Sequence, residues 1–279
     1  MKKSWLSSAV HQAVAGCLVL AACVNSSHAA VNASSTEIAH GLFTAGICRI
    51  ESERSYKLSL QIALGVLAER AKKELDRSLQ AITGKQKLLD QIDNKSPKTS
   101  KALARANNAL NDQFDGLQKL NASNAGVIYD VNEDLLNKLN SLAFSLEYDG
   151  GEAGTRTASL ALRQASLAQR MAKIVLLRSL DKSGKERQGL MVDLVQSKNE
   201  FSNGLDLLAL ESQSSPAIKS RIDLARAQWL LYESALRTPA AAVNYLRDIS
   251  TTSDRISDQM LEIVHLSYAV PLNKLPGLR

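Results

Sequence analysis

The sequence predicts an all-α protein built from two tandem antiparallel four-helix bundles. Apolar residues recur at helical spacing in several long segments, and no segment alternates with period two over a useful length. A short motif also occurs twice, about 116 positions apart. Hydrophobic residues make up 45% of the 279 residues while aromatic residues make up only 4%, a composition that favours helix packing through Leu, Ala and Ile.

The repeated motif runs from Ala45 to Lys57 and again from Ala161 to Lys173. The two copies share an opening alanine, an internal arginine and a closing lysine: Ala45 and Ala161, Arg54 and Arg170, Lys57 and Lys173. Each copy lies near the beginning of a long helical segment. A repeat of this period predicts two copies of one helical module.

Breaks in the apolar pattern divide each module into four helices. Pro97, Pro216 and Pro239 fall in polar gaps where a helix has already ended. We predict a first module over residues 35–148, with helices at 35–64, 67–93, 98–121 and 125–147. The second module covers 155–270, with helices at 155–181, 184–210, 216–237 and 240–268. Up-down-up-down topology allows the two motif helices to run parallel side by side, and end-to-end stacking is the alternative.

The first 22 residues have the features of a secretory signal peptide. Lys2 and Lys3 precede an apolar run of about ten residues, which is too short to span a bilayer. The sequence Leu20-Ala21-Ala22-Cys23 fits a bacterial lipobox. We therefore expect a lipid anchor on Cys23, a polar tether over 23–34 and an outer-membrane lipoprotein in the periplasm. The alternative is ordinary cleavage near Ala29, which would release a soluble periplasmic protein.

Composition and motifs argue against several classes of function. Removal of residues 1–22 takes away two of the 34 basic residues and none of the 28 acidic ones, which leaves a net charge of +4. A mild, dispersed positive charge gives little reason to expect a nucleic-acid partner. No metal-ligand spacing, phosphate-binding glycine loop or nucleophile–histidine–carboxylate pattern is present. We expect no enzyme activity, no cofactor and no bound metal.

The strongest candidate for ligand binding is Arg49. On a helix it shares one face with Ala45, Ser52 and Tyr56. The matching positions of the second copy carry only alanine, and this lets another helix approach closely: Ala161, Ala165, Ala168 and Ala172. A guanidinium held in such a seam suits a planar oxyanion. The alternative is that Arg49 pairs with a carboxylate or extends to solvent.

Weaker candidates follow in both copies of the motif. Arg163 and Arg170 form a basic line with Lys173 beside the alanine stripe, and a solvated face is the alternative. The Glu51–Arg54 and Glu53–Lys57 spacings are those of ordinary helix-surface pairs.

The motif resembles the sensory domain of type IV pilus methyl-accepting chemotaxis transducers, the PilJ type, which also occurs in nitrate/nitrite sensor kinases. The resemblance rests on Ala-Gly-x-x-Arg-x-x-Ser-x-Arg in the first copy and Arg-Gln-x-x-Leu-x-Gln-Arg-Met-Ala-Lys in the second. It implies a four-helix bundle in which the arginine three residues after the motif glycine holds the anion. Here the glycine is Gly46 and the arginine is Arg49. The second copy has Leu162 and Ala165 at those two positions.

These observations predict an exported ligand-binding or sensory accessory protein. The resemblance implies a small oxyanion such as nitrate or nitrite, presented to a membrane sensor or transporter. The ligand-binding residues predicted are Gly46, Arg49, Ser52, Arg163 and Arg170. The alternative is a protein–protein interaction module for type IV pilus, chemotaxis or other envelope components, without a small ligand. A homodimer is possible under either hypothesis.

Overall fold

A computed structural model describes residues 37–92, 95–150, 156–181, 187–211, 215–237 and 243–267. These residues form eight helices and contain no strand, which confirms the predicted all-α class. None of the helices in these ranges is both long and apolar enough to cross a membrane. The predicted signal peptide, Cys23, the tether over 23–34 and the alternative cleavage near Ala29 lie outside the described residues.

The helices follow the predicted segments closely. Helix α1 covers residues 37–64. The others are α2 (Ala68–Asp90), α3 (Pro97–Leu117), α4 (Ala125–Gly150), α5 (Arg156–Leu180), α6 (Arg187–Glu211), α7 (Pro216–Arg237) and α8 (Val243–Ser267). The predicted and observed boundaries differ most at the end of α3.

Local chemistry explains several of these boundaries. Gly65 ends α1 with a φ of 70°, in the left-handed region that glycine adopts at little cost. At the start of α3, the Ser96 hydroxyl accepts a hydrogen bond from the Thr99 amide at 3.2 Å, and Pro97 occupies the first turn. The same helix ends before the predicted position 121, and Asn121 and Asn124 open and close the turn that follows, where both side-chain amides donate to the Lys119 carbonyl. The Asn124 side-chain oxygen accepts a hydrogen bond from the Asn121 amide at 2.8 Å.

In the second half, each of the four helices packs against two of the others. Helix α5 packs against α6 and α8, and α7 packs against the same two helices. In the first half the most extensive contact among α2, α3 and α4 joins α3 and α4.

Helix α1 contributes to both apolar clusters of the protein. Ile38, Leu42 and Cys48 pack with residues of α2, α3 and α4, whereas Ile47 and Ile50 join a second cluster that contains residues of α5 to α8. Helix α1 therefore lies between the two halves of the molecule. Burial on more than one face explains why residues 41–48 are all buried.

The two motif helices lie side by side and run in the same direction. Leu162 of α5 lies against Gly46 of α1. Seven residues further along α1, Glu53 pairs with Arg170 and Lys173 of α5. The order of contacts is the same on both helices, so the helices are parallel.

Candidate functional site

Arg49 lies on α1 at the junction of two cavities. The smaller cavity, about 160 Å³, is formed by α1, α4, α5 and α6. The larger cavity, about 620 Å³, is formed by α1, α4 and α5. Arg49, Asn140 and Arg163 line both cavities.

The Arg49 guanidinium makes no hydrogen bond or ion pair with any of the described residues. Its Nε atom is buried and has no hydrogen-bond partner in the described part of the chain. Burial lowers the pKa of Arg49 to about 10, and the nearby Arg163 guanidinium adds to this effect, while the carboxylates of Glu53 and Glu200 partly offset it. Arg49 therefore stays protonated at neutral pH, in a place where its charge is poorly solvated.

The other two predicted arginines are paired. Arg163 forms a close ion pair with Glu200 of α6. One terminal nitrogen of Arg170, Nη1, donates to both carboxylate oxygens of Glu133, at 2.7 and 2.6 Å. Burial alone would lower the pKa of Arg170, but Glu53 and Glu133 more than offset it and raise this pKa.

The closing lysine of the second motif copy is completely buried in a cluster of polar groups, the Lys173 cluster. Its Nζ atom lies 2.5 Å from Glu53 of α1 and 2.8 Å from Glu133 of α4. It also donates to the Asn132 side chain at 2.6 Å. Burial raises the pKa of Glu53. Burial also disfavours ionised Glu133, but Lys173 and Arg170 outweigh it and lower the pKa of Glu133.

The closing lysine of the first copy is buried in a matching set of groups, the Lys57 cluster. The Lys57 Nζ atom lies 2.6 Å from Asp254 of α8 and 3.2 Å from the Ser253 hydroxyl. Gln169 of α5 donates to the same Asp254 carboxylate at 3.2 Å. Although burial opposes ionisation, Lys57 and Arg54 lower the pKa of Asp254. The predicted Glu53–Lys57 surface pair is therefore wrong, because both residues are buried and pair across the molecule.

In each of the two clusters, the lysine of one half of the molecule pairs with a carboxylate of the other half. Lys57 of the first half pairs with a carboxylate on α8, and Lys173 of the second half pairs with one on α4. The partners are themselves repeated, since Asn132-Glu133 and Ser253-Asp254 occupy corresponding places on α4 and α8. Sequence reasoning missed these partners. A search for a second repeat among the later helices could have found them.

Gly46 and Ser52 have structural surroundings that explain their side chains. A Cβ atom on Gly46 would lie 2.6 Å from Leu162 Cδ1, so the glycine makes room for the leucine that replaces it in the second copy. The Ser52 hydroxyl donates to the Cys48 carbonyl at 2.7 Å and lines neither cavity. The structure thus brings Gly46, Arg49 and Arg163 to the large cavity and leaves Ser52 away from it.

The charges of the two cavities differ. The small cavity is lined by three arginines and by four carboxylates, each of which already has a partner: Arg49, Arg163, Arg170, Glu53, Glu133, Asp193 and Glu200. The large cavity is lined by three arginines and one carboxylate, Arg49, Arg156, Arg163 and Glu147, and two of the arginines pair with carboxylates outside its lining. An anion is therefore better accommodated on the large-cavity side of Arg49.

No group of three or more His, Cys, Asp or Glu residues suited to a metal ion occurs among the residues that the structure describes.

No family model, curated protein or solved structure matches the chain.

Proposed function

We propose that this protein binds a small oxyanion at Arg49 and presents it to a membrane sensor or transporter. The proposed ligands are nitrate, nitrite and small carboxylates. The proposal takes 35–148 and 155–270 as two tandem four-helix modules of the PilJ type. It also places the protein in the periplasm, anchored by a lipid on Cys23.

The observation that carries this proposal is that the partly buried Arg49 guanidinium has no ion pair among the described residues. Leaving a partly buried charge without an ion pair costs free energy, and a bound anion would recover part of it. The neighbouring Arg163, whose Nε atom pairs with Glu200, lines the same cavity. A guanidinium offers a fork of donors that matches the two oxygens of a planar oxyanion.

The exchanged lysine clusters support the tandem-module part of the proposal. Equivalent lysines on α1 and α5 meet equivalent carboxylates on α4 and α8. Two copies of one module, related by an approximate two-fold axis, would produce this arrangement. The position of Arg49 beside a parallel motif helix then corresponds to the place where the PilJ resemblance expects an anion.

Calorimetric titration with nitrate, nitrite, sulfate and acetate tests the proposal. We expect wild type to bind at least one of these anions and Arg49→Ala to lose binding. Loss of a charge-assisted hydrogen-bond pair costs on the order of 2–4 kcal/mol, or about 30- to 1000-fold in affinity. Arg49→Lys should retain weak binding, because an ammonium keeps the charge and lacks the fork.

Arg226→Ala is the matched control, since Arg226 lies on the exposed side of α7 and pairs with Asp206. It removes one positive charge from a residue that lines neither cavity and should leave anion affinity unchanged. Binding that survives in Arg49→Ala, or no binding by wild type to any anion, would refute the proposal.

A second candidate function is supported by an exposed apolar face on α6. Met191, Val192 and Val195 are turned outward, and Val192 is 61% exposed. An apolar stripe of this kind is typical of a surface that binds another protein. It favours the interaction-module hypothesis, in which an envelope component covers α6.

Site-specific photo-crosslinking in cells tests this second function. Probes at positions 192 and 195 should yield adducts with an envelope protein, whereas a probe at the exposed Lys219 on α7 should not. Equal labelling from all three positions would contradict a specific interface on α6.

A further inference from the structure

We infer that the ligand is an organic carboxylate whose apolar body occupies the large cavity while its carboxylate binds Arg49. This inference rests on the proposed anion site and names the class of ligand. It is carried by the size, the lining and the charge of the large cavity.

The size of the large cavity exceeds what an inorganic oxyanion needs. Its volume of about 620 Å³ lies in the range of roughly 300–1,000 Å³ that is typical of small-molecule sites. Nitrate would leave most of this space to water. A ligand with several carbon atoms beyond its anionic group would fill it.

The lining of the large cavity is apolar away from the arginines. Leu42 and Leu162 are buried on two different helices, and Leu160 is half-buried beside them. Phe144 and Tyr148 of α4 are 65% and 80% exposed and also line the cavity. Aliphatic and aromatic surfaces of this kind gain free energy by covering an apolar ligand.

The charge distribution orients such a ligand. Arg49 and Arg163 lie where the two cavities meet, and Asn140 offers an amide at the same place. In the small cavity Arg163 and Arg170 already pair with carboxylates, and the carboxylates outnumber the arginines, so an anion gains less by moving further inward. The carboxylate of the ligand therefore stops at Arg49, and its apolar body remains among the leucines of the large cavity.

The test is calorimetric titration of the whole exported protein with nitrate, acetate, butyrate, hexanoate, octanoate and benzoate. Each methylene that enters the apolar cavity should raise affinity about three- to fourfold, as expected for burial of one CH₂ group. We expect octanoate and benzoate to bind at least tenfold more tightly than acetate. Arg49→Met should abolish binding of all six anions.

Ala143→Leu separates the two parts of the site. Ala143 is half-buried and lines the large cavity but not the small one. The added side chain should weaken octanoate binding at least tenfold and leave acetate or nitrate binding unchanged. Ala209→Leu, the same substitution at a half-buried alanine of α6 that lines neither cavity, is the matched control and should change neither.

The outcomes distinguish this inference from the proposed function. Arg49-dependent binding that does not increase with chain length overturns the inference and leaves the anion site standing. Binding of octanoate that persists in Arg49→Met also overturns it, because the carboxylate then has no role. If wild type binds none of the six anions, the proposed function itself fails.

Discussion

The two copies of the motif are alike in structure at their closing lysines. They differ near their beginning, at the position where only the first copy carries an arginine, Arg49. Lys57 and Lys173 are both completely buried, and each pairs with a carboxylate on a helix of the other half. Near the beginning of the motif, Arg49 faces two cavities without a partner among the described residues, while Ala165 takes the matching position on α5.

This difference separates structural from functional roles within one repeat. A buried charge that is paired and hydrogen-bonded fixes the relative position of two helices. A partly buried charge without an ion pair, such as that of Arg49, costs free energy and does not fix the position of a helix. The repeated lysines therefore hold the two halves together, and the single arginine is the position at which a ligand could compensate the cost.

The largest expected effect comes from breaking the Lys173 cluster. Lys173→Met leaves Glu53 and Glu133 without their buried cation, and loss of one partner of a buried pair typically costs about 3–5 kcal/mol. Lys57→Met should cost less, because its partner Asp254 has a side chain that is 20% exposed, against 2% for Glu53. The measurement is the free energy of unfolding in urea at pH 7.

A double variant provides the control for this prediction. Glu53→Gln removes the most deeply buried of the carboxylates. In the Lys173→Met background it should restore part of the lost stability, because no ionised carboxylate is then left fully buried. Additive losses in the double variant would contradict the proposed coupling between Lys173 and Glu53.

The sequence predicted the helices well because their signals are local. Pro97 and Pro216 mark helix starts, Gly65 marks a helix end, and apolar spacing identifies the buried faces. The partners of the lysines were missed because Lys57 and Asp254 are 197 positions apart in the chain. Helical spacing instead suggested Glu53 as the partner of Lys57, a local solution that packing against α5 and α8 overrides.

The candidate site was predicted only in part. The place of Arg49 on the motif helix identifies it as a candidate, but the sequence alone does not decide between an anion, a carboxylate partner and a path to solvent. Neither the large cavity nor the contact between Gly46 and Leu162 has a sequence signal, because both depend on how α1 and α5 approach each other. The Glu51–Arg54 pair, which needs only helical spacing, is present at 3.7 Å.

The second-largest effect concerns the contact at the start of the motif. Gly46→Ala places a Cβ atom against Leu162, and overpacking of this kind typically costs about 1–3 kcal/mol. In the background of Leu162→Ala the same substitution should cost much less, since the obstructing methyl groups are gone. Urea unfolding of the two single variants and the double variant measures this coupling. A cost for Gly46→Ala that is the same in both backgrounds would show that Leu162 is not the obstacle.

A smaller, pH-dependent effect is expected for the Lys57 cluster. The pKa of Asp254 is lowered in the folded protein, so its contribution to stability is present above the unfolded pKa of about 4 and is lost as the pH falls below it. The stability difference between wild type and Asp254→Asn should be largest near pH 7. It should shrink below pH 4 by at most about 1.4 kcal/mol per pH unit. Urea unfolding between pH 7 and pH 3 measures it, and a constant difference would contradict the pKa shift.

The smallest effect on stability is expected for Arg49, the residue on which the proposed function depends. Arg49→Met keeps most of the side-chain volume and removes a guanidinium that has no ion pair among the described residues. Without ligand, we expect the free energy of unfolding to stay the same or to rise slightly, because the substitution removes a partly buried charge that lacks an ion pair. Arg170→Met should cost several times more, because it leaves Glu133 and the buried Glu53 with one cation fewer. A loss of stability at Arg49 as large as that at Arg170 would mean that Arg49 supports the fold. Its lack of an ion pair would then no longer point to a ligand.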